Sequence, residues 1–137
     1  MTRYMGLDFG TKTIGVALSD LTHTIAQAQC TIKRRDSQSD IEEIKKLISD
    51  NEVSKIVIGM PYNMDGSSGP SVQRVLSFVD LLNKQIDIPI IKVDERMTTI
   101  LATNILIDTN IRRENRKEHV DKIAASYILQ SYLDTLK

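Results

Sequence analysis

A chain of 137 residues suits one domain spanning 1–137 and a core that hides roughly two-thirds of the surface its unfolded form would expose. Eighteen Lys and Arg balance 18 Asp and Glu, which excludes a global basic field as the means of holding a polyanion. Apolar residues are 41% of the chain, no stretch nears the ~20 apolar residues of a membrane span, and the first residues lead into a strand, not a signal peptide. A lone cysteine, Cys30, excludes an internal disulfide, so a cytoplasmic location with no membrane partner is expected.

Residues 3–9 and 13–19 read as two strands joined by a tight glycine-containing turn, and a third strand is expected at 25–32. The period then changes. Ile41, Ile44, Leu47 and Ile48 recur at helical spacing, so 40–50 reads as a helix capped by Ser39 or Asp40. The run 55–59 has the continuous apolar character of a strand buried on both faces. A glycine- and proline-containing loop, 59–70, precedes a helix on Val72, Val75, Leu76, Val79 and Leu82. After Pro89 a second buried run, 90–93, ends at Asp94-Glu95-Arg96. Thr98 or Thr99 is suited to cap a helix on Leu101, Ala102, Ile105 and Leu106; a polar basic loop, 108–117, leads to a last helix at 119–135. Three strands followed by alternating helix and strand predict an α/β fold, a five-stranded mixed sheet with helices on both faces.

Three acids stand at the ends of apolar segments. Asp8 closes the first strand and opens into Gly10-Thr11-Lys12-Thr13; Asp94 or Glu95 follows the fifth strand; Asp121 shares a helical stripe with Ala125, Ile128 and Tyr132. Ligands collect at the C-terminal edge of parallel strands, here where the order reverses between the first and fourth. Three carboxylates brought together there would repel unless a cation lay between them, and oxygen-only ligands select Mg2+ or Mn2+. Such ions activate water and stabilise a leaving oxygen, which is phosphodiester hydrolysis. Each acid also has a simpler explanation: Asp8 as a turn acid, Asp121 as a helix N-terminal charge, and one of Asp94 and Glu95 as partner of Arg96. Strand side chains alternate, so only one of Asp94 and Glu95 faces inward; Glu95 is preferred and Asp94 stays open.

Around this core, Gly10, Thr11, Lys12 and Thr13 are placed to hold a backbone phosphate, and Arg96 to neutralise one. Asn63 belongs to a loop leaving the same edge, and Arg112, Arg113, Arg116 and Lys117 form a local basic patch suited to nucleic acid. The patch Lys33-Arg34-Arg35 reads as solvated charge.

Taken together, Gly6-Leu7-Asp8-Phe9-Gly10-Thr11-Lys12-Thr13-Ile14-Gly15-Val16-Ala17, Ile58-Gly59-Met60-Pro61-Tyr62-Asn63-Met64-Asp65-Gly66, Asp94-Glu95-Arg96-Met97-Thr98-Thr99 and Val120-Asp121-Lys122-Ile123-Ala124-Ala125 resemble the YqgF/RuvX family. The resemblance runs in order along essentially the whole chain. It implies a ribonuclease H-like fold related to Holliday-junction resolvases, and a bacterial cytoplasmic, metal-dependent nuclease that processes the 5' end of pre-16S ribosomal RNA. It also implies Asp8, Glu95 and Asp121 as catalytic and metal-holding acids. Resolvases of this fold usually take their second acid from the fourth strand, but here that strand ends Ile58-Gly59-Met60 without a carboxylate. The partners implied are precursor ribosomal RNA or branched DNA, pre-ribosomal particles, and at most a second copy of the chain. Two other readings compete: a DNA junction resolvase, and a noncatalytic or ATP-binding ribosome-assembly factor, because Asp8 to Thr13 also resembles the first phosphate loop of actin and sugar-kinase ATPases.

Overall fold

The computed structural model describes residues 2–62, 69–94 and 113–136, with side chains in the last helix described from residue 122 onward. Strands β1 (Arg3–Phe9), β2 (Thr13–Ser19), β3 (Ala26–Lys33), β4 (Val53–Met60) and β5 (Ile90–Asp94) form one sheet in the order β3-β2-β1-β4-β5. The β1-β2 and β2-β3 pairs are antiparallel, and β1-β4 and β4-β5 are parallel. The mixed sheet expected from the sequence is therefore present. Helices α1 (Ser37–Asp50), α2 (Pro70–Asn83) and α3 (Arg113–Asp134) complete the described elements, and the helix expected after Thr98 lies outside them.

Alternation along the strands sorts the side chains into two cores. Met5 and Leu7 of β1, Ile56 and Ile58 of β4, and the apolar stripes of α1 and α2 form the larger core on one face. On the other, Ala17 and Val57 meet Ala125, Ile128, Leu129 and Leu133 of α3, all of them buried. The stripe expected at spacings of three and four on the last helix is thus its sheet-facing side.

Small residues let α3 lie directly on the sheet. At Gly6 a Cβ atom would stand 2.7 Å from the Ala125 carbonyl oxygen and 2.8 Å from Leu129 Cβ, so the close approach requires glycine. Tyr4, two residues earlier, has its ring centroid 6.2 Å from that of Tyr132. Passing from Tyr4 to Gly6 along β1, the partners on α3 step back from Tyr132 to Leu129 and Ala125. The helix therefore runs against β1, carrying its N-terminal turns toward the strand's C-terminal end.

Two boundaries differ from expectation. Helix α1 begins at Ser37 with Asp36 as its cap, whose carboxylate accepts from the Ser39 amide at 2.8 Å. Ser39 and Asp40 do not cap it. Its first turn, Ser37 to Asp40, contains only polar residues and so precedes the apolar stripe that marked the helix in the sequence. Asp40 is instead fully buried. Helix α3 begins at Arg113, so 113–117, expected as loop, is helical. A charged opening turn leaves no apolar periodicity to read.

Cys30 is half-buried on β3 and packs against the larger core. Burial pushes its thiol pKa up, which suits an inert packing residue.

Candidate active site at the C-terminal edge of the sheet

Asp8 lies at the end of β1, half-buried, paired in register with Gly15 of β2. Because Gly6 faces α3 and side chains alternate, Asp8 shares that face. Its neighbour Phe9 turns to the other side and packs against Phe78 of α2, the rings tilted by 37° with 4.6 Å between centroids.

The turn after Asp8 is fixed from within and from behind. The Gly10 amide donates to the Thr13 carbonyl at 2.9 Å, closing a tight hairpin with Thr11 and Lys12 exposed at its tip. A Cβ at Gly10 would come within 2.9 Å of that carbonyl oxygen. The Gly10 amide expected to meet phosphate is thus engaged in the hairpin, and Gly10 serves the turn's shape.

Arg34 braces the turn from the far face. Its backbone amide donates to the Lys12 carbonyl at 2.9 Å and its Nη1 to the Gly10 carbonyl at 3.4 Å. The guanidinium lies 4.4 Å from the centre of the Phe9 ring, and Nε donates to Asp40 Oδ2 at 3.0 Å. Asp40 Oδ1 also accepts from the Arg35 amide at 3.2 Å, so a fully buried carboxylate is compensated by a guanidinium and an N–H. Arg35 in turn pairs with Glu43 on the surface. The basic patch 33–35, read as solvated charge, thus contains one structural arginine. Sequence offers only a weak signal for it, Arg34 six residues before Asp40 across a helix start.

Asp94 ends β5 opposite Met60 of β4 and is exposed. Ile91 and Val93 pack on the α3 side, which assigns Asp94 to the opposite face from Asp8. Glu95, Arg96, Asn63 and Arg112 lie outside the described residues. Arg113, Arg116, Lys117 and Asp121 belong to the opening turns of α3, but their side chains are likewise outside the description. Asp121 precedes Ala125, the residue seated on Gly6, by one helical turn. Among the described residues no three His, Cys, Asp or Glu side chains gather as a metal cage; of the three expected ligands only Asp8 has a described side chain.

His23 is placed far from this edge. It adopts φ 57°, stacks on Tyr4 at 3.9 Å, and its Nε2 bonds the Thr2 carbonyl at 2.8 Å.

A sheet of order β3-β2-β1-β4-β5 with an acid closing its central strand and a helix running back across that strand defines a ribonuclease H-like α/β protein. Solved structures of that fold agree. Thermus thermophilus RuvC in complex with a Holliday junction substrate superposes with a TM-score of 0.57 at 11% identity, covering 99% of this chain and 96% of its own. The fowlpox virus resolvase bound to Holliday junction DNA gives 0.56 at 12% identity, with 98% and 99% covered. The chain itself belongs to the RuvX family, described as Holliday junction resolvase, whose model matches residues 2–135. A relative from Thermoanaerobacter pseudethanolicus, named "Putative pre-16S rRNA nuclease", is 52% identical over 136 residues, 98% of each chain. Among the described residues no helix is long and apolar enough to cross a membrane.

Proposed function

We propose that this protein is a metal-dependent nuclease that hydrolyses phosphodiester bonds in structured RNA, with the precursor of 16S ribosomal RNA as its substrate. Family membership supports the reaction class, and the name carried by the 52% identical relative supports the substrate. The observation that carries the site is the seam between β1 and α3. From Gly6, two residues on along the strand cover about 6.6 Å and reach Asp8. From Ala125, one turn back along the helix covers about 6 Å and reaches Asp121. Strand and helix run in opposite directions from one contact, so these two acids advance toward the same edge together.

The third acid is assigned to Glu95. Asp94 belongs to the wrong face, since its predecessors Ile91 and Val93 pack toward α3. Asp8, Glu95 and Asp121 form an all-oxygen donor set fitting Mg2+ or Mn2+, and the half-buried setting of Asp8 suits a carboxylate that shares a cation rather than a fully solvated one. A bound ion of this kind lowers the pKa of an attacking water and offsets charge on the leaving oxygen. The remaining work falls to the chain's own groups. The exposed tip, Thr11 and Lys12, grips a phosphate beside the scissile one, with Thr13 at its base. Arg96 and Asn63, which follow β5 and β4 in sequence, are assigned to further phosphate contacts, and Arg112, Arg113, Arg116 and Lys117 to drawing in the RNA backbone, supplying locally the charge that a neutral chain lacks globally.

Branched DNA is the second substrate reading, favoured by the family description. Both are tested by incubating the purified protein with precursor ribosomal RNA or a four-way DNA junction in manganese. Cleavage of the RNA is expected from the unaltered chain, and a fall to background from Asp8→Asn, Asp121→Asn and Glu95→Gln with unchanged circular dichroism. Full activity in any of the three removes that residue from the site; preference for the junction replaces the substrate.

A further inference from the structure

On the sheet face opposite α3, a groove leads away from the turn that follows Asp8. Its near end, about 100 Å3, is lined by Phe9, Gly10, Thr11, Pro61, Ser71 and Arg74. The far end, about 300 Å3, shares Phe9 and Arg74 with it and continues past Arg34 to Phe78 and Leu81. Among the described residues no acidic side chain lines either end. Two guanidinium groups thus line the groove, that of Arg74 carrying its net positive charge because Arg34 is paired with Asp40.

The two arginines differ in how their charge is met. Arg34 is matched by the buried Asp40 and covered by Phe9. Arg74 is exposed on α2, and its Nη2 donates to the Ser71 hydroxyl at 3.2 Å; among the described residues it makes no ion pair. Among the described residues that neutral hydrogen bond is the guanidinium's one polar contact, which leaves further donors for an anion in the geometry that suits a phosphate. The near pocket has Arg74 on one wall and the exposed Thr11 on the other, and Thr11 stands three positions past Asp8.

We propose that Arg74 binds a phosphodiester of the substrate strand flanking the scissile bond. The strand then crosses the sheet edge at Thr11, from the face of Asp8 to the groove between the β1-β2 turn and α2. The inference rests on the nuclease reading above and adds a path for the strand on the side away from the acids.

The test measures binding without cleavage. A fluorescent RNA hairpin with a single-stranded flank is titrated in EDTA with the unaltered protein, Arg74→Ala and Arg74→Lys, at several salt concentrations. Arg74→Ala is expected to raise Kd about tenfold, as loss of one charge-assisted contact does, and to lower the slope of log Kd against log salt by about 0.7. Arg74→Lys should keep the slope and recover part of the affinity. A walk of single methylphosphonate linkages should find one that weakens the unaltered protein but adds nothing to Arg74→Ala. Equal Kd and slope for Arg74→Ala, or equal methylphosphonate penalties at every linkage, overturn the assignment while leaving the nuclease reading intact. Failure of the unaltered protein to bind the hairpin overturns this assignment, whereas failure to cleave precursor ribosomal RNA in manganese overturns the nuclease reading. Position 74 is exposed, so unchanged melting temperatures are expected and exclude misfolding as the cause.

Discussion

Gly6→Ala probes the contact on which the geometry of the edge depends. The added methyl would meet a backbone oxygen at 2.7 Å and Leu129 Cβ at 2.8 Å, and neither belongs to the flexible end of a side chain. Ordinary contacts of this type begin near 3.4 Å, so α3 must lift by several tenths of an ångström along a helix whose sheet-facing residues are fully buried. Overpacking of this kind costs about 1–3 kcal/mol. For a chain of this length that is a fall of about 3–12 °C in melting temperature. Urea and thermal unfolding measure the cost, and cleavage per folded molecule measures what the shift does at the edge. Asp8 follows Gly6 on the same face and Asp121 precedes Ala125 by one turn, so activity should fall further than the unfolded fraction accounts for. Leu129→Ala in the same chain keeps the clashing Cβ and so relieves neither contact; it should add its own cavity cost without restoring activity. A Gly6→Ala protein within about 0.5 kcal/mol of the parent, the range of a neutral surface change, would refute the close approach.

Arg34→Met should destabilise by about 3 kcal/mol, because it leaves the fully buried Asp40 without its guanidinium; a urea midpoint that moves by less than a third of that would show the pair to be dispensable. Adding Asp40→Asn to Arg34→Met should recover part of the loss, since the orphaned charge is gone. Asp20 is held to a pKa of about 2, against an ordinary 3.8, by the Thr22 hydroxyl and the amides of Thr24 and Ile25. A folded pKa below the unfolded one means the contribution is complete above about pH 4 and disappears as pH falls toward 2. The stability difference between the parent and Asp20→Ala should therefore be constant near neutrality and shrink across that acid window; a difference that stays constant down to pH 2 would contradict it.

Much of this architecture was legible because buried strands and amphipathic helices leave periodic apolar patterns. The five strands, the stripe on α1 and the sheet-facing side of α3 follow from spacing alone. What escaped had no period. Asp36 caps α1 ahead of any apolar residue, and the opening turn of α3 has only polar residues, so both helices begin earlier than their stripes. Phe78 was not named for the core, although it lies only three positions after Val75 on the buried side of α2; its partner Phe9 sits at a strand end where alternation gives way to the turn. Of the candidate site, Asp8 was legible as an acid at the end of a buried strand. Arg34 and Arg74 were not, because their meaning comes from residues distant in sequence: Asp40 and Phe9 for one, Thr11 for the other.

The same distant contacts explain how an exposed turn can hold a rigid acid. Asp8 is clamped from both faces, by α3 closing on Gly6 and by Arg34 pulling the Gly10 and Lys12 carbonyls toward the opposite core. With both carbonyls and the Gly10 amide engaged, the turn's main chain at these points has little freedom to adapt to a ligand. What it offers outward is the tip, Thr11 and Lys12, on a support held by these hydrogen bonds. In the proposed nuclease, a carboxylate preorganised in this way would require no reordering when a charged strand arrives, which is where electrostatic stabilisation is most effective. It follows that Arg34→Met should slow turnover more than it weakens binding of the RNA hairpin in EDTA. Equal losses in the two would mean that Arg34 only stabilises the fold.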